Sequence, residues 1–567
     1  MKTQRTAALT ASKIFYMNVL LVVLLAALVV CIAILACVPP VSRDALIHHL
    51  EIPKLYLQHG GVYEIPPLKF SYYPMNLDLL YLLPLYLGND IAPKFIHFAF
   101  ALLTAAMIFA YLKRRLNLTY ALFGTLLFLS VPIIIKLSIT AYVDLGLIFF
   151  STAAILYIFK WREHGFKKRH LITAGLFCGL ALGTKYNGLI VFFLLTLFVP
   201  FLHSRGRQPH GPALATAGPN SRKSGFFRSA GYGALFFLTA LIVFSPWLIR
   251  NYRWTGNPLY PLYDSFFHAP AHVASEKGRQ PMGHFAVRKF VYKETALETL
   301  SIPVRIFFQG QDGDPKFFDG RLNPYLLFLP IFAFLGISKN GGLIKREKKF
   351  LISFSVCYLL FAFFTRDMRT RYIAPIIPPL VILSVYGWYK VMQHIRRLRS
   401  HPWQRILYGS ALLAVGGLLA LNAGYLYQQF NVVDPLPYIR GQISRDAYIA
   451  HYRPEYAAIS FINRKLPVDA GILAFFVGRR GYYCQRPIRF SLPVLGHALD
   501  RGDTATKLLD ILRKNGIKYI LLRRDLFENW IVRMPVRKRQ TLIRFFRKAC
   551  RQIYSKNGYA LFQIISG

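Results

Sequence analysis

Long apolar runs broken by short polar segments occupy residues 14 to 425. Eleven of them approach the roughly 20 residues that a bilayer core requires: 14–38, 93–112, 119–137, 143–160, 171–184, 188–203, 229–249, 323–337, 350–365, 372–390 and 405–425. The pattern predicts an α-helical polytopic membrane protein with about 11 transmembrane helices. The first run follows Lys2, Arg5 and Lys13. At about 25 residues it is too long for the core of a cleavable signal and reads as a membrane helix.

After residue 425 the periodicity changes. "RPEYAAISFINRKL" and "TATKLLDILRKNG" have helical spacing, the second with Gly516 as its C-cap, while "GILAFFV", "IKYILL" and "YALFQII" read as strands. The chain thus divides into a transmembrane module, 1–425, with long loops at 39–92 and 250–322, and a small C-terminal α/β domain, 426–567. Residues 204–228, rich in Gly, Pro, Ser and Arg, read as a flexible loop.

Charge orients this scheme. The 70 Lys+Arg against 25 Asp+Glu give a net charge of +45. A nucleic-acid partner would need a basic soluble face, whereas here much of the charge lies in clusters between apolar runs, where it sets topology and meets anionic lipid. With a cytoplasmic N-terminus, the inner loops become "KRR", "KWREHGFKKRH", 204–228, "KNGGLIKREKK" and "HIRRLRSHPWQR", all basic. The short outer turns hold only Lys185 and the arginines of "RDMRTR". The loops 39–92 and 250–322 and the tail then lie outside. The tail holds 25 Lys/Arg against 9 Asp/Glu, but long domains cross regardless of charge.

Two other classes receive little support. The six cysteines form no CxxC pair, which argues against a zinc or disulfide-exchange site; pairing of Cys484 with Cys550 in an extracytoplasmic tail stays open. There is no internal repeat of the kind transporters carry.

The outer side gathers the chemistry. "SRDALIHHLEIPKLY" at 42–56 follows the first run, and a helix starting near Ser42 would place Asp44, His48 and Glu51 on one face. Ser42 is the expected N-cap and Asp44 a favourable first-turn acid, while His49, Glu51 and Lys54 read as a polar rim. Asp144, in "SITAYVDLGLIFF", opens the fourth run, where a carboxylate needs water, a cation or another partner. Lys185 in "GTKYNG", Arg250 in "PWLIRNYRW", and Arg366, Arg369 and Arg371 supply cations suited to phosphate oxygens. The alternative for each is an ordinary cap, snorkelling or headgroup contact.

In combination, "DALIHHLEIPKLYLQHGG", "YYPMNLDLLY", "AYVDLGLIFF", "GLALGTKYNGL", "PWLIRNYRWTGNPLYP", "FDGRLNPYLLFLP" and "RYIAPIIPPL" resemble bacterial GT-C membrane glycosyltransferases, in the group of protein O-mannosyltransferases and aminoarabinose transferases. The resemblance spans residues 14 to 425 and implies inverting transfer of a sugar from a polyprenyl-phosphate-linked donor to an extracytoplasmic glycan, lipid or protein acceptor. It implies Asp44 and Asp144 as catalytic acids, with Asp44 the general base. It matches Lys185 and Arg371 to basic residues that hold the donor phosphate; Arg250 and Arg369, on the same outer face, are further candidates for that phosphate, and His48, Tyr72, Tyr73 and Trp254 are candidate acceptor or sugar contacts, with an interfacial or core role as the alternative. Many members carry two adjacent acids in the first loop, whereas Arg43 and Ala45 flank Asp44 here. No metal site is therefore assigned and no cofactor expected, with a divalent cation left open. The implied location is a bacterial inner membrane, with the C-terminal domain periplasmic. The competing classes are a lipid-linked-sugar transporter or flippase and a non-catalytic scaffold.

Overall fold

The computed structural model describes residues 2–206, 219–268, 282–336, 342–365, 367–398, 401–490, 495–496, 499–500 and 504–565. Arg366, residues 207–218 of the loop read as flexible, and residues 269–281 of the second long loop lie outside the described residues. The chain forms two compact units. One comprises 1–37, 72–80 and 92–435; the other comprises 38–71, 81–91 and 436–567. Most of the first long loop thus groups with the tail, an association between segments that are far apart in sequence.

Among the described residues of the first unit, seven helices are long and apolar enough to cross a membrane: Ser12–Ala36, Ala92–Arg115, Asp144–Glu163, Gly225–Thr255, Leu343–Thr365, Thr370–Arg396 and His401–Val433. The unit is a multi-pass membrane architecture. Four runs read as full spans take other forms. Residues 119–137 become Leu118–Leu129 and Pro132–Ser138, bent by 67°, because Pro132 cannot donate to the preceding turn and starts a new helix instead. Lys168–Leu182 and Tyr325–Phe332 have 15 and 8 residues, and Gly188–Ser204 is a shorter apolar helix. Apolar composition sets which residues avoid water, but prolines and turns set how long each helix runs.

Asp144–Glu163 and Thr370–Arg396 are the most enclosed of the long helices, while His401–Val433 leaves most of its apolar surface uncovered, as a helix facing lipid does. Arg115 pairs with both Glu163 and Glu347, joining three helices through one guanidinium. Such a charge is tolerated in a packed interior because both carboxylates answer it.

In the second unit, β1 (Ile472–Phe475), β2 (Ile488–Arg489), β3 (Tyr519–Arg523), β4 (Cys550–Lys556) and β5 (Tyr559–Ile564) form one sheet in the order β2-β1-β3-β5-β4. The β2-β1-β3 half is parallel and the β3-β5-β4 half antiparallel. Alternation along the strands divides the core into two faces. Leu473, Phe475, Ile520 and Leu522 pack with Leu508, Leu512, Leu542 and Phe545 from the helices Ala505–Lys514 and Val536–Ala549. Ile472, Ala474, Leu521 and Leu561 pack with Ile459 and Ile462 from Tyr456–Lys465. Gly516 follows the helix Ala505–Lys514 with φ +70°, the left-handed conformation expected of it. Cys484 and Cys550 are both free thiols.

The stretch 42–56 belongs to this unit and departs from the helix expected there. Ala45–His49 form a π-helical turn, followed by the α-helix Glu51–His59. The wider turn changes the angular step per residue, so the simple i, i+4, i+7 face does not carry through. Ser42 contributes its backbone carbonyl, accepting from Leu46 N–H at 3.2 Å, and Asp44 occupies the N-cap position without a side-chain capping bond. Nor are His49, Glu51 and Lys54 a polar rim. His49 and Glu51 are buried, and Lys54 Nζ donates to the carbonyls of Gly481, Tyr482 and Cys484 at 3.3, 2.9 and 3.0 Å while pairing with Glu51 at 2.9 Å. Burial raises the Glu51 carboxyl above its ordinary pKa, and the Lys54 ammonium opposes that rise. Arg445 pairs with Asp90 in the same unit.

Candidate active site

In the helical unit a polar cluster forms where the helix Asp144–Glu163 begins. His97 is fully buried and braces this start: Nδ1 faces the carbonyls of Leu137 and Thr140 at 2.9 and 2.8 Å, and Nε2 lies 2.9 Å from the Leu145 N–H. Since Nε2 must accept from that N–H, the network assigns the proton to Nδ1 and a neutral ring.

Asp144 is 1% exposed. Its Oδ1 lies 2.6 Å from Lys185 Nζ, and its Oδ2 is buried with no hydrogen-bond partner among the described residues. Lys185 stands in the turn between Lys168–Leu182 and Gly188–Gly206. Its ammonium also faces the Tyr372 ring at 5.5 Å, and the Arg369 and Arg371 guanidinium carbons lie 5.9 and 5.4 Å from the same ring. Arg371 reaches the Tyr142 ring at 5.4 Å as well. The Tyr372 ring thus gathers three cations, two of which, Lys185 and Arg371, also interact with Asp144.

The segment carrying Arg369 and Arg371 is pinned from several directions. Thr370 N–H donates to Phe318 O at 2.8 Å and its hydroxyl to Gly320 O at 2.9 Å. Asn187 and Tyr358 donate to Tyr372 O at 3.3 and 3.1 Å. Arg369 itself pairs with Asp319 and Asp367, at 3.6 and 3.4 Å. Asp319 also holds Lys136, which reaches Asp312. The charge of Arg369 is therefore largely answered by its own acids, and Lys185 and Arg371 are the cations that interact with Asp144.

A second acid joins the cluster. Asp78 is buried, and it interacts electrostatically with both Lys185 and Asp144. Desolvation lifts its carboxyl well above the usual carboxylate range, although a backbone hydrogen bond and Lys185 oppose the shift. Sequence reasoning did not single out Asp78. An isolated acid in "NLDLLY" resembles a helix-starting residue, and its flanking apolar side chains were the available sign of burial.

Asn76, two residues earlier, locks the turn to its neighbours. Its backbone N–H donates to Gly183 O at 2.8 Å, its Nδ2 to Leu180 O at 3.4 Å, and its Oδ1 accepts from Trp247 Nε1 at 2.9 Å. A Cβ at position 183 would meet Asn76 Nδ2 at 2.2 Å, so any larger residue there would displace the Asn76 amide from its bonds. Asn76→Ala removes two side-chain bonds and leaves a partly buried indole N–H unanswered. The expected cost is about 1–3 kcal/mol of stability, read as a lowered melting temperature of the purified protein.

Arg250 lies between Trp247 and Trp254, its guanidinium carbon 4.5 and 4.8 Å from their rings. It donates to Tyr73 O and to Asn251 Oδ1. Asn251 in turn donates to Tyr72 O at 2.8 Å and to the Tyr186 hydroxyl at 3.1 Å. Tyr72 is 4% exposed and packs edge-on against Trp254 and Tyr260. Tyr73 meets Tyr186. Arg250, Tyr72 and Trp254 thus form a packed brace beside the turn carrying Lys185. Asp44 and His48 belong to the other unit, where His48 stacks on Phe70 at 4.3 Å. Among the described residues, no three His, Cys, Asp or Glu side chains come together as a metal site.

Comparison with known proteins agrees with this architecture. Residues 84–217 match the sequence profile of the dolichyl-phosphate-mannose-protein mannosyltransferase family. No curated protein sequence matches the chain. The structure of ArnT from Cupriavidus metallidurans bound to undecaprenyl phosphate superposes with a TM-score of 0.55 at 13% identity, covering 96% of this chain and 98% of ArnT. The apo form of ArnT gives 0.55 at 14% identity, with 97% and 98% covered. The near-complete coverage in both directions includes the tail as well as the helices. The chain has the fold of ArnT, a helical membrane module with a small C-terminal α/β domain.

Proposed function

We propose that this protein transfers a sugar from a polyprenyl-phosphate-linked donor to an extracytoplasmic acceptor, with inversion at the anomeric carbon. The observation that carries the reading is the cluster of Asp144, Lys185 and Arg371, a built cationic site within a fold whose relative ArnT is described with undecaprenyl phosphate bound.

In this reading Lys185 and Arg371 hold the donor phosphate. As the bond between the anomeric carbon and the phosphate oxygen breaks, negative charge grows on the departing polyprenyl phosphate, and preset cations stabilise it. Asp144 is a positioning residue: buried and bonded to Lys185, it fixes where the ammonium points. Asp44 takes the proton of the acceptor hydroxyl or amine as that atom attacks from the face opposite the phosphate. Arg369 and Arg250 act at one remove, the first through its acidic partners and the second through the aromatic brace. Among the described residues no three His, Cys, Asp or Glu side chains come together, and no step is routed through a divalent cation. Basic inner loops support a cytoplasmic N-terminus, with Asp44 and the tail on the opposite side.

The test is mass spectrometry of envelope glycans and lipid-linked sugars in cells with and without the protein. The expected result is one sugar missing from one acceptor class while its lipid-linked precursor persists. Unchanged glycans would refute the assignment.

A further inference from the structure

The parallel half of the tail sheet contains a second place built for a ligand. β1 is followed in sequence by β2 on one side and in space by β3 on the other. Its carboxyl end is therefore a topological switch point, where neighbouring connections diverge and leave a crevice. The chain leaves β1 through an unusual turn, with Phe476, Gly478 and Arg479 at φ of +59°, +80° and +54°. Two of these carry side chains that rarely adopt such a conformation, a feature that concentrates at functional sites.

A cavity of about 310 Å³ opens at this turn, and Arg43, Phe475, Phe476, Arg479 and Phe490 contribute to its wall. That volume is at the lower end of small-molecule sites, which run from roughly 300 to 1,000 Å³. It suits a single ring with one charged substituent.

Several arginines of this unit are held by other protein groups, whereas, among the described residues, the two in the wall are not. Arg445 pairs with Asp90 and Arg480 with Glu455. Arg453 donates to Val41 O, and Arg486 to the carbonyls of Leu466 and Asn463. Arg43 and Arg479 make no hydrogen bond or ion pair among the described residues. Two unanswered guanidinium groups beside aromatic side chains match an anion attached to an apolar-faced ring.

We infer that this cavity binds an anionic sugar, one bearing a phosphate or a carboxylate, with Arg43 and Arg479 on the anion and Phe476 and Phe490 against the ring. Arg43 is covalently next to Asp44, so the bound group belongs to the acceptor side of the reaction. That last step rests on the proposed role of Asp44; binding itself does not.

The experiment is titration of the full-length, detergent-solubilised protein with glucose 6-phosphate and with glucuronate, using glucose and inorganic phosphate as controls. At least one anionic sugar should bind more tightly than either control, and which of the two does so identifies the anion. Arg43→Ala and Arg479→Ala should each weaken that binding about tenfold, the size of one charge-assisted contact. Arg479→Lys should retain part of it. Equal binding of glucose, equal binding of phosphate alone, or unchanged affinity in Arg479→Glu with a native melting curve would overturn the inference. The same titration on Asp44→Asn separates the two ideas. Binding that persists there while transfer also persists would remove Asp44 as base and keep the subsite.

Discussion

Asp44→Asn is expected to lower the rate of sugar transfer by about 10²–10⁴-fold, the usual contribution of a positioned general base. The substitution keeps the shape of the side chain and removes its capacity to take a proton. Structural damage should be small, because the amide is nearly isosteric and Asp44 is only partly buried. Loss of activity with an unchanged melting temperature would therefore report chemistry. Asp44→Glu, which restores the carboxylate one methylene further out, should recover part of the rate. An Asn variant as active as the parent would show that the proton goes elsewhere.

Lys185→Met should be nearly as severe, for two separable reasons. It removes the ammonium proposed to meet the donor phosphate, a loss of about 10²–10³-fold for one preset electrostatic contact. It also leaves Asp144 as a buried carboxylate without its 2.6 Å partner, which costs about 3–5 kcal/mol when one half of a buried pair is removed. The double variant Lys185→Met/Asp144→Asn distinguishes them. Neutralising both groups should return most of the melting temperature while activity stays low. Recovery of activity along with stability would mean that Lys185 serves only the fold.

The same pair marks how far local pattern carries. Asp144 and Lys185 stood out because each is a charge at the edge of an apolar run, and a charge there needs an answer. That they answer each other was not visible, since 41 residues separate them. Asp78 shows the complementary limit. It is an acid among leucines in a short helix, Asn76–Leu80; those leucines hint at burial, but nothing local reveals the second carboxylate and the lysine beside it.

The stretch 42–56 makes this point more strongly. Its histidines, Glu51 and Lys54 look like the polar end of a membrane helix, yet Lys54 bonds to carbonyls some 430 positions away, at Gly481, Tyr482 and Cys484. Backbone acceptors have no side-chain signature, so a lysine that secures a domain resembles one that faces water. Strands in the tail were legible as β1, β3 and β5 because their apolar residues serve both faces of a covered sheet. β4 was not, because Cys550–Lys556 leaves its polar side chains at an edge. Arg43 and Arg479 became a candidate pair only once the sheet placed the turn after β1 beside the start of the first loop.

The most direct test of the central claim is mass spectrometry of the acceptor glycan and the lipid-linked sugar pool in cells whose only copy of this protein carries Asp44→Asn, with protein abundance measured in parallel. The account predicts normal abundance, absence of one sugar from the acceptor, and accumulation of its polyprenyl-linked precursor. A complete glycan with a normal precursor pool in that strain would contradict it.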